Sequence, residues 1–436
     1  MVVGLGVSGM AAARLLDARG ARLVLTDLRP SVSGGVTAAP WLGEIHLGGE
    51  DPAWLEGVEL VVTSPGVAPT SRLIAEAERR AIPVIGELEL ASRFVNAPIV
   101  AVTGTNGKST VTTLVGEILK AARRRVFVGG NLGTPLAEAA GLALDAAVVE
   151  ASSFQLERIV HFKPQVAVHL NLADDHFDRY RGLEDYGEAK ARIFLNQDRD
   201  DWAILNRDDP AVWRLRSRIK AHVIGFGMGP AAPAPALGYD GRNIIFDDGA
   251  GRRERIGLEH FRLPGRHNVA NAMAAAGAAL AMGVEAKVIE SALAAFRGLA
   301  HRMELVAERE GVAWIDDSKG TNVASVVEAL AAARAPVILI AGGVDKGGDY
   351  TPLRTPLREK VRLLILIGAA RDKMRAALEG TTEIEVEQTL DEAVWRAAAL
   401  ARGGDTVLLS PACSSFDQFK SYAERGRIFQ ELVRAL

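Results

Sequence analysis

Short runs of β-branched and other apolar residues alternate along this chain with Ala- and Leu-rich stretches whose apolar positions recur at helical spacing. The pattern predicts strands at Val2-Val3, Arg22–Thr26, Glu59–Thr63 and Pro83–Ile85 in a first block that ends at about Glu87. A second block carries Ile99–Val102, Ala146–Val149 and Val166–Leu170 and runs to about Gly298. A third opens near Leu299, with strands at Val312–Ile315, Val337–Ile340, Leu363–Ile367 and Thr406–Leu409. Strands that alternate with helices predict parallel sheets covered by helices, an α/β class. The polar, Gly- and Pro-rich interval Gly225–Gly251 reads as hairpins or loops, and Ala270–Met282 as a buried helix.

Composition narrows the class of protein without naming its chemistry. The 436 residues are 48% hydrophobic and 24% charged, which excludes a disordered, collagen-like or disulfide-scaffold chain. The single cysteine, Cys413, excludes an intramolecular disulfide and a Cys-based zinc site, and suits a reducing compartment. With 51 basic against 54 acidic residues, no general charge favours nucleic acid. The start lacks the basic region of a signal peptide, and no apolar run is long enough to span a bilayer. A cytoplasmic protein with neither nucleic acid nor membrane as partner is expected.

The strongest motif is TGTNGKST, Thr103 to Thr110, directly after an apolar strand. Val111, Leu114, Val115, Ile118 and Leu119 follow at the spacing of a helix with one buried face. Strand, Gly-rich turn and helix start together make a phosphate cradle. Backbone N–H groups and the helix dipole face the anion, Lys108 reaches the outer phosphates, and Ser109 or Thr110 suits Mg²⁺. Val102 stands where the common Walker A spacing has its first glycine.

GLGVSG, Gly4 to Gly9, fits GxGxxG, and Asp27 closes the next strand. A dinucleotide, another nucleotide diphosphate and a purely structural glycine turn all fit that much. Ser64-Pro65-Gly66-Val67 forms a second loop at a strand end. Glu150 ends a strand beside the phosphate loop, where a Mg²⁺ ligand or an ordinary loop acid would sit. Asn171, Asp174, Asp175, His176, Asp178 and Arg179 cluster after the next strand. Residue type alone makes Lys190 a surface lysine. Asn268 and Asn271 share a helical face, and polar loops follow three strands of the last block, at 316–322, 342–348 and 410–416.

These segments carry a resemblance. TGTNGKST, GNLGTP (130–135), ASSFQLE (151–157), NLADDHFDRY (171–180), LPGRHNVANAMAA (263–275), GLAHRME (298–304), DDSKGTN (316–322) and SPACSSFDQFKSYAERG (410–426) resemble the Mur ligase family of peptidoglycan synthesis, in order and over essentially the whole chain. GLGVSG, SSFQLE and SPACSSFDQFK are similar to its D-glutamate-adding member in particular. The resemblance implies three α/β domains: an N-terminal Rossmann-like domain for the UDP substrate (1–87), a central P-loop ATPase (88–298), and a C-terminal Rossmann-like domain for the amino acid (299–436). It also implies that a short leading segment usual in the family is missing here. The implied reaction is ATP- and Mg²⁺-dependent addition of D-glutamate to UDP-N-acetylmuramoyl-L-alanine through an acyl phosphate. Another amino-acid-adding ligase, L-glutamate-adding or similar to folylpolyglutamate synthase, is the alternative.

Site residues follow from the same likeness. Val7, Ser8, Asp27, Arg29, Gly66, Asn131 and His176 are implied at the UDP substrate. Gly104, Thr105, Asn106, Gly107, Lys108, Ser109, Thr110, Asn268, Asn271, Arg302, Asp317 and Lys319 are implied at ATP. Thr321, Lys346, Ser415, Phe416 and Tyr422 are implied at the amino acid, with Phe416 and Tyr422 replacing the commoner Leu and Phe. Ser109, Glu150, His176 and Lys190 as a carbamate are implied ligands of two Mg²⁺ ions, and Lys108, Glu150, His176 and Lys190 are implied to be catalytic. A nicotinamide oxidoreductase would rest on GxGxxG alone, and a nucleotide switch protein on the phosphate loop alone.

Overall fold

The first sheet contains β1 (Val2–Val3), β2 (Leu23–Asp27), β3 (Gly43–Leu47), β4 (Val61–Thr63) and β5 (Val84–Gly86). Its order is β3-β2-β1-β4-β5, parallel throughout. These coordinates belong to a computed structural model that describes residues 1–32, 43–177, 179–263 and 265–436. The second sheet contains β6 (Ile99–Thr103), β7 (Val126–Gly130), β8 (Ala146–Glu150), β9 (Val166–His169) and β10 (Trp202–Asn206). It continues through β11 (His222–Phe226), β12 (Ala236–Tyr239), β13 (Asn243–Asp247) and β14 (Arg253–Gly257). Its order is β14-β13-β12-β11-β10-β9-β6-β8-β7, parallel except for the hairpins β12–β13 and β13–β14. The third sheet contains β15 (Glu304–Arg309), β16 (Val312–Asp316), β17 (Val337–Gly342), β18 (Val361–Ile367), β19 (Glu383–Val386) and β20 (Thr406–Leu409). Its order is β15-β16-β20-β17-β18-β19, and only β15 runs antiparallel.

The chain divides into two compact units. One comprises 1–172, 186–261 and 270–296 and holds the first two sheets; the other comprises 173–185, 262–269 and 297–436 and holds the third. The hydrophobic pattern predicts the interior strands, whose residues are buried on both faces: β6, β8 and β9 are buried at every position. It misses the interior strands β10 and β11, and it misses β3, β7, β14, β15 and β19, each of which lies at a sheet edge. These edge strands are half-exposed, and β3 and β19 mix charged and apolar positions, which weakens the signal; β7 keeps a short apolar run, Val126 to Val128, that the pattern reading passes over. The interval 225–251 holds the β12–β13 hairpin, as its turn residues predict.

Within the first unit the two sheets share a core that includes Leu5, Leu88, Ala137, Leu156 and Phe162. The helix Glu87–Ser92 ties them together: Glu89 Oε2 accepts the backbone N–H groups of Val160, His161 and Phe162 at 2.9, 2.9 and 2.8 Å. Its neighbour Glu87 is 1% exposed; Oε1 accepts the Ala137 N–H at 2.7 Å, while Oε2 is buried without a partner. Burial lifts the Glu87 carboxyl to about 7. A folded-state pKa above the unfolded one means the folded chain holds the extra proton, so stability falls as pH rises from about 4.5 to about 7 and is level above. Glu87→Gln is expected to remove that slope and to gain on the order of 3 kcal/mol over the parent chain at pH 8 relative to pH 4. Urea midpoints of both proteins across that pH range check it; parallel curves would contradict it.

Candidate active site

In the first sheet the strand order reverses between β1 and β4, where parallel sheets leave a crevice at the strand ends. A cavity of about 570 Å³ opens there, lined by Val7, Ser8, Asp27, Arg29, Gly66 and Asn131 among others. Both carboxylate oxygens of Asp27 are engaged. Oδ2 accepts Leu5 N–H at 2.7 Å and Arg29 Nη2 at 2.7 Å, and Oδ1 accepts Arg29 N–H at 2.9 Å and Arg29 Nε at 2.8 Å. The Arg29 side chain, with those backbone donors, holds the Asp27 carboxyl at about 2. Val7 and Leu28 stand 68% and 62% exposed in the cavity lining, so a flat apolar ring could cover them.

In the second sheet the turn after β6 runs straight into the helix Lys108–Ala121. Gly107, at φ +84°, is its N-cap, and a Cβ there would lie 2.4 Å from Asn271 Oδ1, so only glycine fits. Asn171, just beyond β9, braces the turn: its Oδ1 accepts Asn106 N–H at 2.8 Å, its Nδ2 donates to Asn106 O at 3.0 Å, and its carbonyl accepts Thr105 N–H at 2.9 Å. Lys108 Nζ folds back onto the carbonyls of Gly104 and Thr105 at 3.0 and 2.8 Å. Ser109 is 1% exposed, and its Oγ is buried without a hydrogen-bond partner; Thr110 is 4% exposed. Glu150 closes β8, pairs in register with Val102 of β6, and accepts Asn131 Nδ2 on Oε1 at 2.7 Å.

Lys190 contradicts its residue type. On the helix Leu183–Ala191 it is 1% exposed, its Nζ donating to Gly104 O at 2.8 Å and lying 4.4 Å from the centre of the Tyr186 ring. An orphaned serine hydroxyl at the helix start and buried Glu150 are oxygen donors of the kind a Mg²⁺ ion takes, so these residues fit that ion.

The second unit carries the remaining candidates. His176 has φ +58°, and its Nε2 lies 3.7 Å from Asp175 Oδ2. Asp178 and Pro264, which belong to the motifs quoted above, lie outside the described residues. Asn268 and Asn271 both lie on the helix Arg266–Ala281 and are each 8% exposed, Asn268 belonging to this unit and Asn271 to the other. Arg302 Nε is buried without a partner. Burial lifts the Asp317 carboxyl to about 7 against the pull of a 2.6 Å hydrogen bond from Ser410 Oγ and the charge of Arg302. Lys319 Nζ donates to the Tyr422 hydroxyl at 2.9 Å. Lys346 Nζ lies 3.5 Å from both Thr321 Oγ1 and Asp175 Oδ1. Ser415 is buried, and Phe416 is 73% exposed.

Residues 1–86 match the family model described as Mur ligase MurD-like, N-terminal domain, residues 102–279 the Mur ligase middle domain, and residues 301–413 the Mur ligase, glutamate ligase domain. The chain is 47% identical to a UDP-N-acetylmuramoylalanine–D-glutamate ligase of Geotalea uraniireducens, over all of this chain and 97% of that protein. It is 48% identical to one of Anaeromyxobacter dehalogenans, over 99% and 96%. The chain belongs to the Mur ligase family. Its fold is shared with the solved UDP-N-acetylmuramate–alanine ligase of Thermotoga maritima, at 18% identity and a TM-score of 0.64 over 100% and 98% of the two chains. A pseudomurein peptide ligase of Methanothermus fervidus likewise shares it, at 20% identity and a TM-score of 0.64 over 100% and 99%. This Mur ligase is therefore a three-domain α/β, ATP-dependent, ADP-forming ligase.

Three side chains that hold candidate site residues of this Mur ligase escape the motif reading. Asn171 stands in a polar cluster, but nothing in its spacing shows that both its amide atoms hold the phosphate turn. Ser410 and Asp175 act on Asp317 and Lys346 across 93 and 171 positions of chain, and only the fold brings them close. No helix among the described residues is long and apolar enough to cross a membrane.

Proposed function

We propose that this chain joins the α-amine of D-glutamate to the alanyl carboxylate of UDP-N-acetylmuramoyl-L-alanine, with ATP converted to ADP and phosphate, in the cytoplasm as a monomer. The full-length identity of 47% to a D-glutamate-adding relative carries this reading. Its domains are 1–87 for the UDP substrate, 88–298 for ATP and 299–436 for the amino acid.

A carboxylate does not react with an amine, because its leaving group would be oxide. Its oxygen instead attacks the γ-phosphorus of ATP, ADP leaves, and the acyl phosphate that results can expel phosphate when the amine attacks. Both partners of the first step are anions, and two unit charges 4 Å apart repel by about 4 kcal/mol at an effective dielectric of 20. Lys108 offsets that repulsion by turning from the loop carbonyls to the β- and γ-phosphoryl oxygens. Ser109, Glu150, His176 and carbamylated Lys190 would hold two Mg²⁺ ions, which when bound supply further positive charge to the phosphoryl oxygens. The backbone N–H groups at the helix start, Gly107 to Thr110, cradle the triphosphate in a turn shaped by Gly104, Thr105 and Asn106, with Asn268, Asn271, Arg302, Asp317 and Lys319 assigned to the same nucleotide. Val7, Ser8, Asp27, Arg29, Gly66 and Asn131 take the UDP moiety, and His176 the sugar-peptide end. Thr321, Lys346, Ser415, Phe416 and Tyr422 take the amino acid, Lys346 meeting a carboxylate.

Phosphate release on mixing ATP, Mg²⁺, UDP-N-acetylmuramoyl-L-alanine and D-glutamate, with each left out in turn and L-glutamate run alongside, tests the whole assignment. Release that does not require the UDP substrate, or that prefers L-glutamate, would overturn it. Asp27→Asn replaces one acceptor oxygen with an NH₂ donor that faces donors, removes the negative charge, and frees the Arg29 guanidinium. The KM for the UDP substrate is expected to rise roughly tenfold with the KM for ATP unchanged, as initial rates would show.

A further inference from the structure

Arg425, on the helix Tyr422–Ala435, is 1% exposed and heads the fully buried side chains in size among the described residues. Burial lowers its pKa to about 10, so it remains a cation at neutral pH. A buried cation persists only where its donors are matched. Nε donates to Ser318 Oγ at 3.0 Å, Nη2 to Ser318 O at 2.9 Å and Cys413 O at 3.3 Å, and Nη1 to Gly342 O at 3.5 Å. Those acceptors lie at or just past the ends of three neighbouring strands, β16, β20 and β17.

The same three strand ends lead into the loops that carry Lys319 and Thr321, Ser415 and Phe416, and Lys346. Backbone bonds already join the loops: Ala412 N–H to Gly320 O at 2.8 Å, Gly342 N–H to Pro411 O at 2.8 Å, and Val344 with Ser414 in both directions. The helix is keyed in beside them. A Cβ on Gly426 would lie 2.2 Å from His301 Nδ1, and Gln430 Nε2 donates to Glu304 Oε2 at 3.0 Å and Asp316 Oδ2 at 2.9 Å. That amide fills the space among His301, Glu304 and Asp316, which makes the cluster a seat for the helix and not a metal site.

We propose that Arg425 is a positioning residue for the amine acceptor: one guanidinium, shared by Ser318, Gly342 and Cys413, fixes the loops of Thr321, Lys346 and Ser415 before the amino acid arrives. The inference rests on the assignment of those three residues to the amino-acid pocket. A planar fork with donors at fixed angles can serve three strand ends at once, and a lysine ammonium cannot. Loops ordered in advance spare the incoming amino acid the cost of ordering them, so the effect falls on its binding and not on ATP.

The test is the KM of D-glutamate, ATP and the UDP substrate for the full chain and for Arg425→Lys, Ser318→Ala and Lys346→Ala, with thermal unfolding of each. Arg425→Lys is expected to raise the D-glutamate KM about tenfold, the ATP and UDP-substrate values staying within about twofold. Ser318→Ala removes the Nε acceptor and, with it, the 2.8 Å hydrogen bond from Ser318 Oγ to Tyr422 O, while the Nη1 and Nη2 partners stay; it is expected to raise the D-glutamate KM roughly threefold. A D-glutamate KM near the parent value in both variants would overturn the proposal, as would a common rise in all three KM values that tracks lost thermal stability. Should Arg425→Lys fail to fold, Ser318→Ala decides alone. An unchanged D-glutamate KM in Lys346→Ala would instead refute the pocket assignment; a raised one there, with Arg425→Lys and Ser318→Ala unaffected, sinks only the positioning role.

Discussion

Lys108→Ala is expected to lower ATP-dependent amide formation by about 10³-fold while leaving affinity for the UDP substrate within about twofold. Gly107 must be glycine beside Asn271, and Asn171 holds Asn106 from both sides, so the backbone of the loop does not depend on the lysine. Lys108 Nζ rests on two carbonyls of that loop, which are partners it can exchange for phosphoryl oxygens at little cost. Its removal therefore leaves a folded cradle short of one positive charge where negative charge must gather. The cavity at Asp27 and Arg29 is built by other strands, so the UDP substrate should bind as before. Isothermal titration of the UDP substrate and phosphate release, done on one preparation, separate the two effects. Turnover near that of the parent chain would show that the triphosphate lies elsewhere.

The contrast between Lys108 and Lys190 shows what the amino-acid order can reveal. Lys108 is legible because the role proposed for it is local: strand, glycine turn and helix start are consecutive, and their spacing reads as a phosphate cradle. Lys190 is not legible from its surroundings in the chain, where Glu188 and Arg192 read by residue type as helix-surface residues. Its burial comes from the helix Leu183–Ala191 lying where Nζ meets Gly104 O, 86 positions earlier. Asp317 and Arg425 behave in the same way. Each looks like a charged residue at a loop or helix start, yet Ser410 holds one and three strand ends hold the other. Most interior strands of the three sheets are legible because burial on both faces forces apolar runs, β10 and β11 of the second sheet being the exceptions. The edge strands β3, β15 and β19 are not legible, since exposure frees their outer positions to be polar, and β7, though apolar, is too short a run before its two glycines to stand out. Resemblance to a family supplied the roles that local chemistry leaves open, and the first glycine loop is the clearest case. GxGxxG with Asp27 fits several nucleotides, but Asp27 is already saturated by Leu5 and Arg29, which leaves it no free acceptor for a ribose diol.

Lys190→Ala is expected to lower turnover by about 10³-fold and to regain part of it with added acetate or formate. A lysine amine in its neutral form attacks the carbon of CO₂; the new N–C bond forms, a proton passes to solvent, and the side chain ends in a carboxylate. The charge at that point changes from +1 to −1, which turns a group that repels a divalent cation into one that binds it. Burial favours this outcome in two ways. The position is 1% exposed, so bulk water has little access to a carbamate formed there, and Gly104 O fixes Nζ at the back of the phosphate loop instead of in solvent. The alanine variant loses both the carboxylate and the stem that delivers it, and a small free carboxylate can enter the vacated space. Carbon-13 NMR of the protein under labelled CO₂ gives a readout independent of turnover: one carbamate signal in the parent chain, absent in Lys190→Ala and present in Lys108→Ala. A parent chain without that signal, or an alanine variant of full activity that ignores acetate, would leave Lys190 a buried structural cation and would require the metal ligands to be assigned without it.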